Sequence, residues 1–437
     1  MEIAIVGAGI SGLSQYLFFR KLGLTDIHSI VIFEARQIKP GSSTGEQNAE
    51  TYNASVIGAS IGLSSTGLKV LKRLDPDLYD EVLQSGHVIT SWKLSSSRGW
   101  TLAEIPAGGE DEMTVMIGRD AFWKILRKRV PDEAIQRRKV VDVELAHDAS
   151  GSRLVFEEGS TERFDLVVSA DGIWSIGRRA FFGGQGKQRY EYSPHYEGLI
   201  GTGGFVTSSL LQNVPDGQMN VVNGGNGFFG YGYCSSSDVG PRKHGDTATW
   251  WSTHSLRDCP DDWRHIDLES VKSELQRRHS EWKDPVVQSI VRDVRVDSLY
   301  PTFTTPLLPT WQKGCCVLVG DAAHALQPSS GQGASMALED CETLALLLHH
   351  YLTVRSSKSI QRALEQYSDI RRPRLAMVHK KAQELAGMKQ DMSLLEEMVM
   401  YFFIWLFARL SLNEAYQKKL NHYDVPTVVE TVLRGTS

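Results

Sequence analysis

The sequence predicts an α/β fold, α+β overall: a discontinuous three-layer domain, a mixed or antiparallel sheet packed over it, and C-terminal helices. Three short motifs set far apart carry this prediction. Gly7-Ala8-Gly9-Ile10-Ser11-Gly12 follows the apolar run Ile3-Ala4-Ile5-Val6. Ala170-Asp171-Gly172 follows Asp165-Leu166-Val167-Val168-Ser169, and Gly320-Asp321-Ala322-Ala323-His324 follows Cys316-Val317-Leu318-Val319. One glycine-bearing turn after an apolar strand is weak evidence for a ligand. Three of them imply one large ligand threaded through most of the fold.

Ile3 to Val6 read as a buried parallel strand, because four consecutive apolar residues suit a strand covered on both faces. Gly7 permits the tight turn, Gly9 lets the backbone approach a diphosphate, and Gly12 lets the next helix pack on the strand, the Rossmann-like arrangement. That helix is expected from Ser11 to Lys21, with its free N–H groups and partial positive charge facing the diphosphate. A second strand, Ser29 to Phe33, ends at Glu34, placed to accept both ribose hydroxyls of an adenosine. A carboxylate there repels a 2′-phosphate, so NAD or FAD fits this site better than NADP. Arg36 is either an adenine-stacking residue or a solvated surface arginine.

Bulk composition narrows the class. The chain has 437 residues, 41% hydrophobic and 23% charged, as in a globular protein of two or three domains. A formal net charge of −5 argues against nucleic acid as a partner. The five cysteines show no metal spacing, and none of the residues is assigned to a metal. Buried thiols and a first strand beginning at the second residue point to a reducing, cytoplasmic setting. The run Met398 to Ala408 is too short to span a bilayer and is expected to be a buried helix, ahead of a dimer contact or a lipid-facing patch. Monomer and homodimer both stay open.

Along the chain, helical periodicity covers Gly62 to Leu74 and Asp77 to Leu83, and a strand is expected over Val88 to Ser95. Gly118-Arg119-Asp120 precedes a helix with Asp120 as its N-cap. Strands follow at Val140 to Leu145, Leu154 to Glu157 and Asp165 to Ser169. Short alternating runs from Tyr196 to His254 suit an antiparallel sheet. Within it Phe229, Tyr231 and Tyr233 lie two apart and share one face, as pocket lining or as plain core. Helices are expected at Leu268 to Arg278, Pro285 to Arg292, Gly333 to Tyr351, Ser359 to Met388 and Leu394 to Leu420. The expected organisation is therefore a nucleotide domain of residues 1–85, 105–190 and 295–355, a sheet domain of residues 86–104 and 191–294, and a helical segment of residues 356–437.

Together the three motifs, with Gly118-Arg119-Asp120 before Phe122, Pro328 leading to Gly331-Gln332-Gly333, and Tyr367 to Arg374, resemble the single-component FAD-dependent aromatic hydroxylases. These are flavoprotein monooxygenases related to p-hydroxybenzoate and salicylate hydroxylases, and the chain is most similar to their fungal, secondary-metabolism branch. The resemblance covers residues 1–375. It implies bound FAD, transient NAD(P)H, dioxygen, and hydroxylation or epoxidation of an aromatic or polycyclic substrate through a flavin C4a-hydroperoxide. It places Gly7, Gly9, Gly12, Glu34, Arg36, Arg119, Asp171, Asp321, Pro328, Gly331, Gly333 and Ala334 at the cofactor, with Asp321 on a ribityl hydroxyl. Helix-start N–H groups near Gly331, Gly333 and Ala334 would face the flavin. His324 reads as a packed structural histidine, and Glu339 and Asp340 as local hydrogen-bonding groups. No catalytic acid or base is assigned: His195, Tyr196, Glu197 and Tyr231 lie on the expected sheet, and each also reads as a plain strand or surface residue. Gly58-Ala59-Ser60 departs from the family pattern, with Ser60 in place of a glycine near the flavin edge. The alternatives are a flavin oxidoreductase without oxygen insertion and an idle flavoprotein binding module. Trp250-Trp251 does not match the halogenase signature.

Overall fold

Five parallel strands and one antiparallel edge strand form a six-stranded sheet in the order Gln312–Lys313, Cys316–Leu318, Leu166–Ser169, Glu2–Val6, Ser29–Phe33, Ile135–Gln136. The structure is a computed structural model and describes residues 1–36, 60–109, 112–146, 151–183, 190–259, 268–328, 331–353, 359–386, 391–410 and 419–435. Ala4 pairs with Val167 on one side and Val31 on the other, and Val168 pairs with Val317. The central strands are fully buried from Ile3 through Ile5 and from Leu166 through Val168. Burial on both faces is why they are apolar without alternation.

One face of this sheet carries α1 (Ile10–Lys21). The other carries a three-stranded antiparallel sheet of Val140–Glu144, Ser152–Phe156 and Thr161–Phe164, joined through edge-to-face contacts of Phe33 with Phe156 and Phe164. Next in the chain come α2 (Ser65–Leu74), α3 (Pro76–Ser85) and α4 (Arg119–Arg127). The first of these starts later than its periodicity implies, because Ser60–Leu63 is a strand paired with Thr114–Gly118. Asp120 is not the N-cap of α4. Gly118 holds that position, and Asp120 lies in the first turn, ion-paired with Lys124 at 2.7 Å.

The short α5 (Ile176–Phe182) follows the second motif. A seven-stranded mixed sheet then runs Ser298–Thr304, His195–Thr207, Thr247–Ser255, Gly227–Tyr233, Gln218–Gly224, Ser91–Ser96, Thr101–Pro106. It is mixed because Gln218–Gly224 runs parallel to Ser91–Ser96. Ser298–Thr304, expected with the nucleotide domain, is in fact its edge strand. The expected strand Val88 to Ser95 is two strands in two sheets, with His87–Ile89 paired to Thr114–Gly118. Over one face of the seven-stranded sheet lie α6 (Leu268–His279) and α7 (Pro285–Arg292).

Four further helices complete the described chain: α8 (Gly333–Thr353), α9 (Ser359–Ala386), α10 (Leu394–Arg409) and α11 (Val425–Gly435). The expectation that Met398 to Ala408 is buried fails. Met400 and Tyr401 are buried, whereas Phe402, Phe403, Trp405 and Phe407 are 40–55% exposed. The inward face of α10 carries Glu397 and Tyr401, whose polar groups bond to Ser97 and to the Asn223 carbonyl. Among the described residues no helix is long and apolar enough to cross a membrane.

Three histidines lie buried in or beside the seven-stranded sheet. His87 Nε2 accepts from the Gly217 N–H at 2.9 Å, and His279 Nε2 lies 2.9 Å from Ser252 Oγ. Burial pushes His87 and His254 down to about 4 and His279 to about 3. The unfolded chain takes up these protons near pH 6.5 and the folded chain only near 4 or below. Stability therefore falls as pH drops from 6.5 toward 3, by up to about 1.4 kcal/mol per pH unit for each histidine. Urea unfolding at pH 7.5, 6 and 5 is expected to show this slope, and His279→Gln to flatten it.

Candidate functional site

The three motifs meet at one edge. They are the turns after Glu2–Val6, Leu166–Ser169 and Cys316–Leu318, three adjacent strands of the parallel sheet. The carboxyl ends of such strands are where ligands of open α/β sheets bind. The turns touch. Gly7 has φ +103°, and a Cβ there would stand 2.6 Å from the Ala170 carbonyl oxygen. A Cβ at Gly12 would stand 1.9 Å from the Gly7 carbonyl oxygen, and one at Gly320 would stand 2.2 Å from Ser11 Oγ. By contrast, a Cβ at Gly9, Gly172, Gly331 or Gly333 would meet nothing within 4 Å. The first set is closed by packing, and the second opens onto free space.

Polar residues border that space. Glu34 accepts from the backbone N–H groups of Ala8 and Arg36, each at 2.8 Å, which fixes its carboxylate beside the glycine turn. Arg36 is exposed on a surface depression of about 570 Å³ also lined by Arg137, Arg138, Lys139, Glu157 and Glu158. Arg119 is exposed at the first position of α4. The Asp321 side chain is exposed, and its backbone carbonyl accepts from Arg178 Nη1 at 3.3 Å.

Two expected contacts change. The Asp171 carboxylate accepts from the Ile176 and Gly177 N–H groups at 2.6 and 3.3 Å and from Ser169 Oγ at 2.9 Å. It thus receives hydrogen bonds from the first two N–H groups of α5, whose N-cap is Ser175, and ties the Asp171-Gly172 turn to that helix. The Gly331 N–H donates to the Pro328 carbonyl at 3.0 Å in a turn, leaving Gly333 and Ala334 as the first-turn donors of α8. Among the described residues Arg178 forms no salt bridge. It is fully buried and donates to the Ala322 carbonyl at 2.7 Å and to the Ile173 carbonyl, tying the second motif to the third.

The third motif is held by a buried ionic network. Asp340 on α8 accepts from the Gly320 N–H at 3.0 Å and from Arg371 Nε at 2.8 Å, and its Oδ2 lies 2.5 Å from His324 Nε2. Arg371 and Arg374 on α9 both donate to Glu339. The Asp340 charge raises the His324 pKa against burial, and His324 and Arg371 hold the Asp340 carboxyl below its usual range. His324 is thus the structural histidine the sequence implied.

Of the two readings open for the sheet aromatics, the structure shows plain core. Phe229, Tyr231 and Tyr233 are buried with Trp250 against α6 and α7. Phe229 stacks on Trp250, Tyr231 Oη donates to Asp284 at 2.9 Å, and Tyr233 Oη donates to the Leu211 carbonyl at 2.6 Å. The alternate positions point to the opposite face. There the Trp251 ring lies flat on Gly230 and the Tyr300 ring on Gly201, each about 2.2 Å from where a Cβ would stand. The same face bears Thr249, whose Oγ1 accepts from Ser60 Oγ at 2.8 Å. Ser60 therefore latches the Ser60–Leu63 strand to the seven-stranded sheet; Gly58 and Ala59 lie outside the described residues.

Other residues meet at this edge, among them His195 and Glu197, which the sequence places on the sheet without a role. Glu197 contacts Thr304 Oγ1 and His195 Nε2, the latter at 2.8 Å, and accepts from Gln327 Nε2 at 3.1 Å, joining the sheet to the segment before Pro328. Trp174, two residues past Gly172, is 55% exposed and meets Phe303 edge-on at 5.0 Å. Its place in Asp171-Gly172-Ile173-Trp174 was the available clue.

A sequence profile described as an FAD binding domain matches residues 1–382. The chain belongs to this FAD-binding family. Asperlicin C monooxygenase of Petromyces alliaceus is 26% identical over 397 residues, covering 88% of this chain and 79% of that protein. Salicylate hydroxylase of Pseudomonas putida is 25% identical over 423 residues, covering 93% and 91%. Zeaxanthin epoxidase of Prunus armeniaca is 29% identical over 406 residues, covering 89% of this chain and 55% of that protein. Among solved structures, a salicylate hydroxylase substrate complex gives a TM-score of 0.74 at 22% identity, covering 98% of this chain and 97% of that one. Klebsiella pneumoniae HpxO complexed with FAD and uric acid gives 0.71 at 19%, covering 99% and 97%. Both share the fold of this FAD-binding chain, and FAD is the cofactor its open glycine edge fits.

Two substitutions test the site. Glu34→Ala is expected to weaken FAD binding by about 1–3 kcal/mol, read by titrating apoprotein with FAD. Asp340→Asn leaves His324 and Arg371 buried without their shared carboxylate, and a loss of about 3–5 kcal/mol in unfolding free energy is expected.

Proposed function

We propose that this FAD-binding chain is a monooxygenase that uses NAD(P)H and dioxygen to hydroxylate or epoxidise an aromatic or polycyclic small molecule. The observation that carries the reading is the shared opening of three strand-end turns, bordered by Asp321 and Glu34, beside an aromatic sheet face. The names of the relatives support it: a monooxygenase, a hydroxylase and an epoxidase.

FAD, when bound, supplies electron transfer from nicotinamide and activation of oxygen. The chain's own residues supply binding, orientation and exclusion of water. The N-terminus of α1 at Gly9 faces the diphosphate, Glu34 accepts from the ribose, and Arg119 reaches the same part of the cofactor. The Asp321 carboxylate accepts from a ribityl hydroxyl. The first-turn N–H groups of α8, at Gly333 and Ala334, stabilise negative charge on the flavin ring. Tyr300, Trp251 and Thr249 present an aromatic wall with one polar edge, suited to a flat, electron-rich substrate. The Asp171-Gly172 turn would border the approach of a transiently bound nicotinamide.

The test is NAD(P)H oxidation by purified protein against a panel of phenols, indoles and polycyclic aromatics under labelled dioxygen. Stimulated oxidation with one labelled oxygen atom in the product is expected. Protein that purifies without FAD, or that no member of the panel stimulates, overturns the reading. Product formed without label assigns an oxidoreductase that inserts no oxygen.

A further inference from the structure

We propose that α10 is the contact surface through which a second copy of this chain binds, antiparallel and about a two-fold axis. The helix is inverted relative to an ordinary surface helix, whose outward face is polar. Leu395, Val399 and Phe402 lie on its outward side and are 74%, 46% and 55% exposed, and Leu410 continues the stripe at 55%. With half-buried Leu406 the spacing is four, three, four and four residues, a continuous ridge at helical period. Leu394, Phe403, Trp405 and Phe407 flank it, also exposed.

The helix cannot roll to hide this face. Glu397 accepts from Ser97 Oγ at 3.1 Å and pairs with Arg98 at 3.4 Å, and Tyr401 Oη donates to the Asn223 carbonyl at 2.8 Å. Its N-terminus is fixed by a capping box between Ser393 and Glu396. The apolar side is held outward by the polar side's fit.

The size and charge of the patch select its occupant. The exposed side chains of α10, with Trp100 beside Tyr401, present on the order of 800 Å². That is about one partner's share of a stable interface and above the largest patch of an ordinary monomer. The exposed charges on the helix have opposite sign at its two ends, Glu396 in the first turn and Arg409 in the last. A ridge with ends of opposite charge is self-complementary under a two-fold axis, which reverses the second helix and opposes the two helix dipoles. A lipid surface fits less well, because an interfacial helix places lysine and arginine along its polar side. Here the side opposite the ridge, bearing Glu397 and Tyr401, is packed on the protein, and the exposed first turn carries the acid Glu396.

The experiment uses the FAD-loaded full chain in sedimentation across concentration. A dimer is expected in the micromolar range. Phe402→Asp combined with Leu395→Asp should weaken it at least 100-fold, with FAD content and activity unchanged because neither residue is near the site. Antiparallel pairing places Phe402, near the middle of α10, opposite its own copy, so oxidised Phe402→Cys should form a cross-linked dimer. Leu395→Cys should not, because its two copies stand roughly 20 Å apart along the axis. A wild-type monomer, a dimer indifferent to the double substitution, or cross-linking by Leu395→Cys alone overturns the proposal. A monomer that floats with phosphatidylcholine vesicles assigns the face to lipid instead.

Discussion

Asp340 sits with no solvent access between the end of a parallel strand and two long helices, and it carries a negative charge there. Removing a carboxylate from water costs several kcal/mol, so its position depends on what surrounds it. One oxygen serves the Gly320 N–H and His324, and the other serves Arg371. The strand end, the turn bearing Asp321, α8 and α9 are thereby fixed to one atom pair. Arg178 plays the reciprocal part from the other side, with carbonyls of the second and third turns as its acceptors. The open space between the turns is bounded by backbone that these two buried charges hold in place.

Much of this was legible in the sequence because the constraint is local. A strand buried on both faces must be apolar throughout, and a turn with φ +103° whose Cβ would stand 2.6 Å from a neighbouring carbonyl oxygen must be glycine. Those demands write themselves at Ile3 to Gly12, at Leu166 to Gly172 and at Val317 to Asp321. His324 was readable as a structural histidine because it follows the third turn directly, whereas Asp340, expected to bond locally, reaches His324 and Arg371, 16 and 31 residues away.

What was not legible depended on neighbours distant in the chain. Alternation tells that Phe229, Tyr231 and Tyr233 share a face but not which face, since that is decided by α6 and α7, some forty to sixty residues later. Asp171 read as part of a turn supporting the cofactor, and nothing in its motif shows that α5 begins close enough to claim one carboxylate oxygen while Ser169 takes the other. The run Met398 to Ala408 read as core because hydropathy reports the residues of a helix, not the polarity of the surface beneath it. Here the surface is the hydrogen-bonding turn at Ser97, and it selects Glu397 and Tyr401 for the inside. The sequence places Glu197 on the sheet but not its contact with Gln327, which lies 130 residues away.

The order of strands in the parallel sheet has a consequence for biogenesis. Leu166–Ser169 is inserted between Glu2–Val6 and Cys316–Leu318, so neighbours in space are about 150 residues apart in the chain. Such high contact order makes the central sheet slow to form. During synthesis from the N-terminus, the glycine turn at Gly7 emerges long before either partner turn, and Asp340 emerges after both. The nascent chain therefore cannot hold its cofactor while the ribosome is still reading the first three quarters of the message. Loading must wait until the helix bearing Asp340 has cleared the exit tunnel, which leaves the edges of the early strands exposed to chaperones, or to aggregation, for that interval.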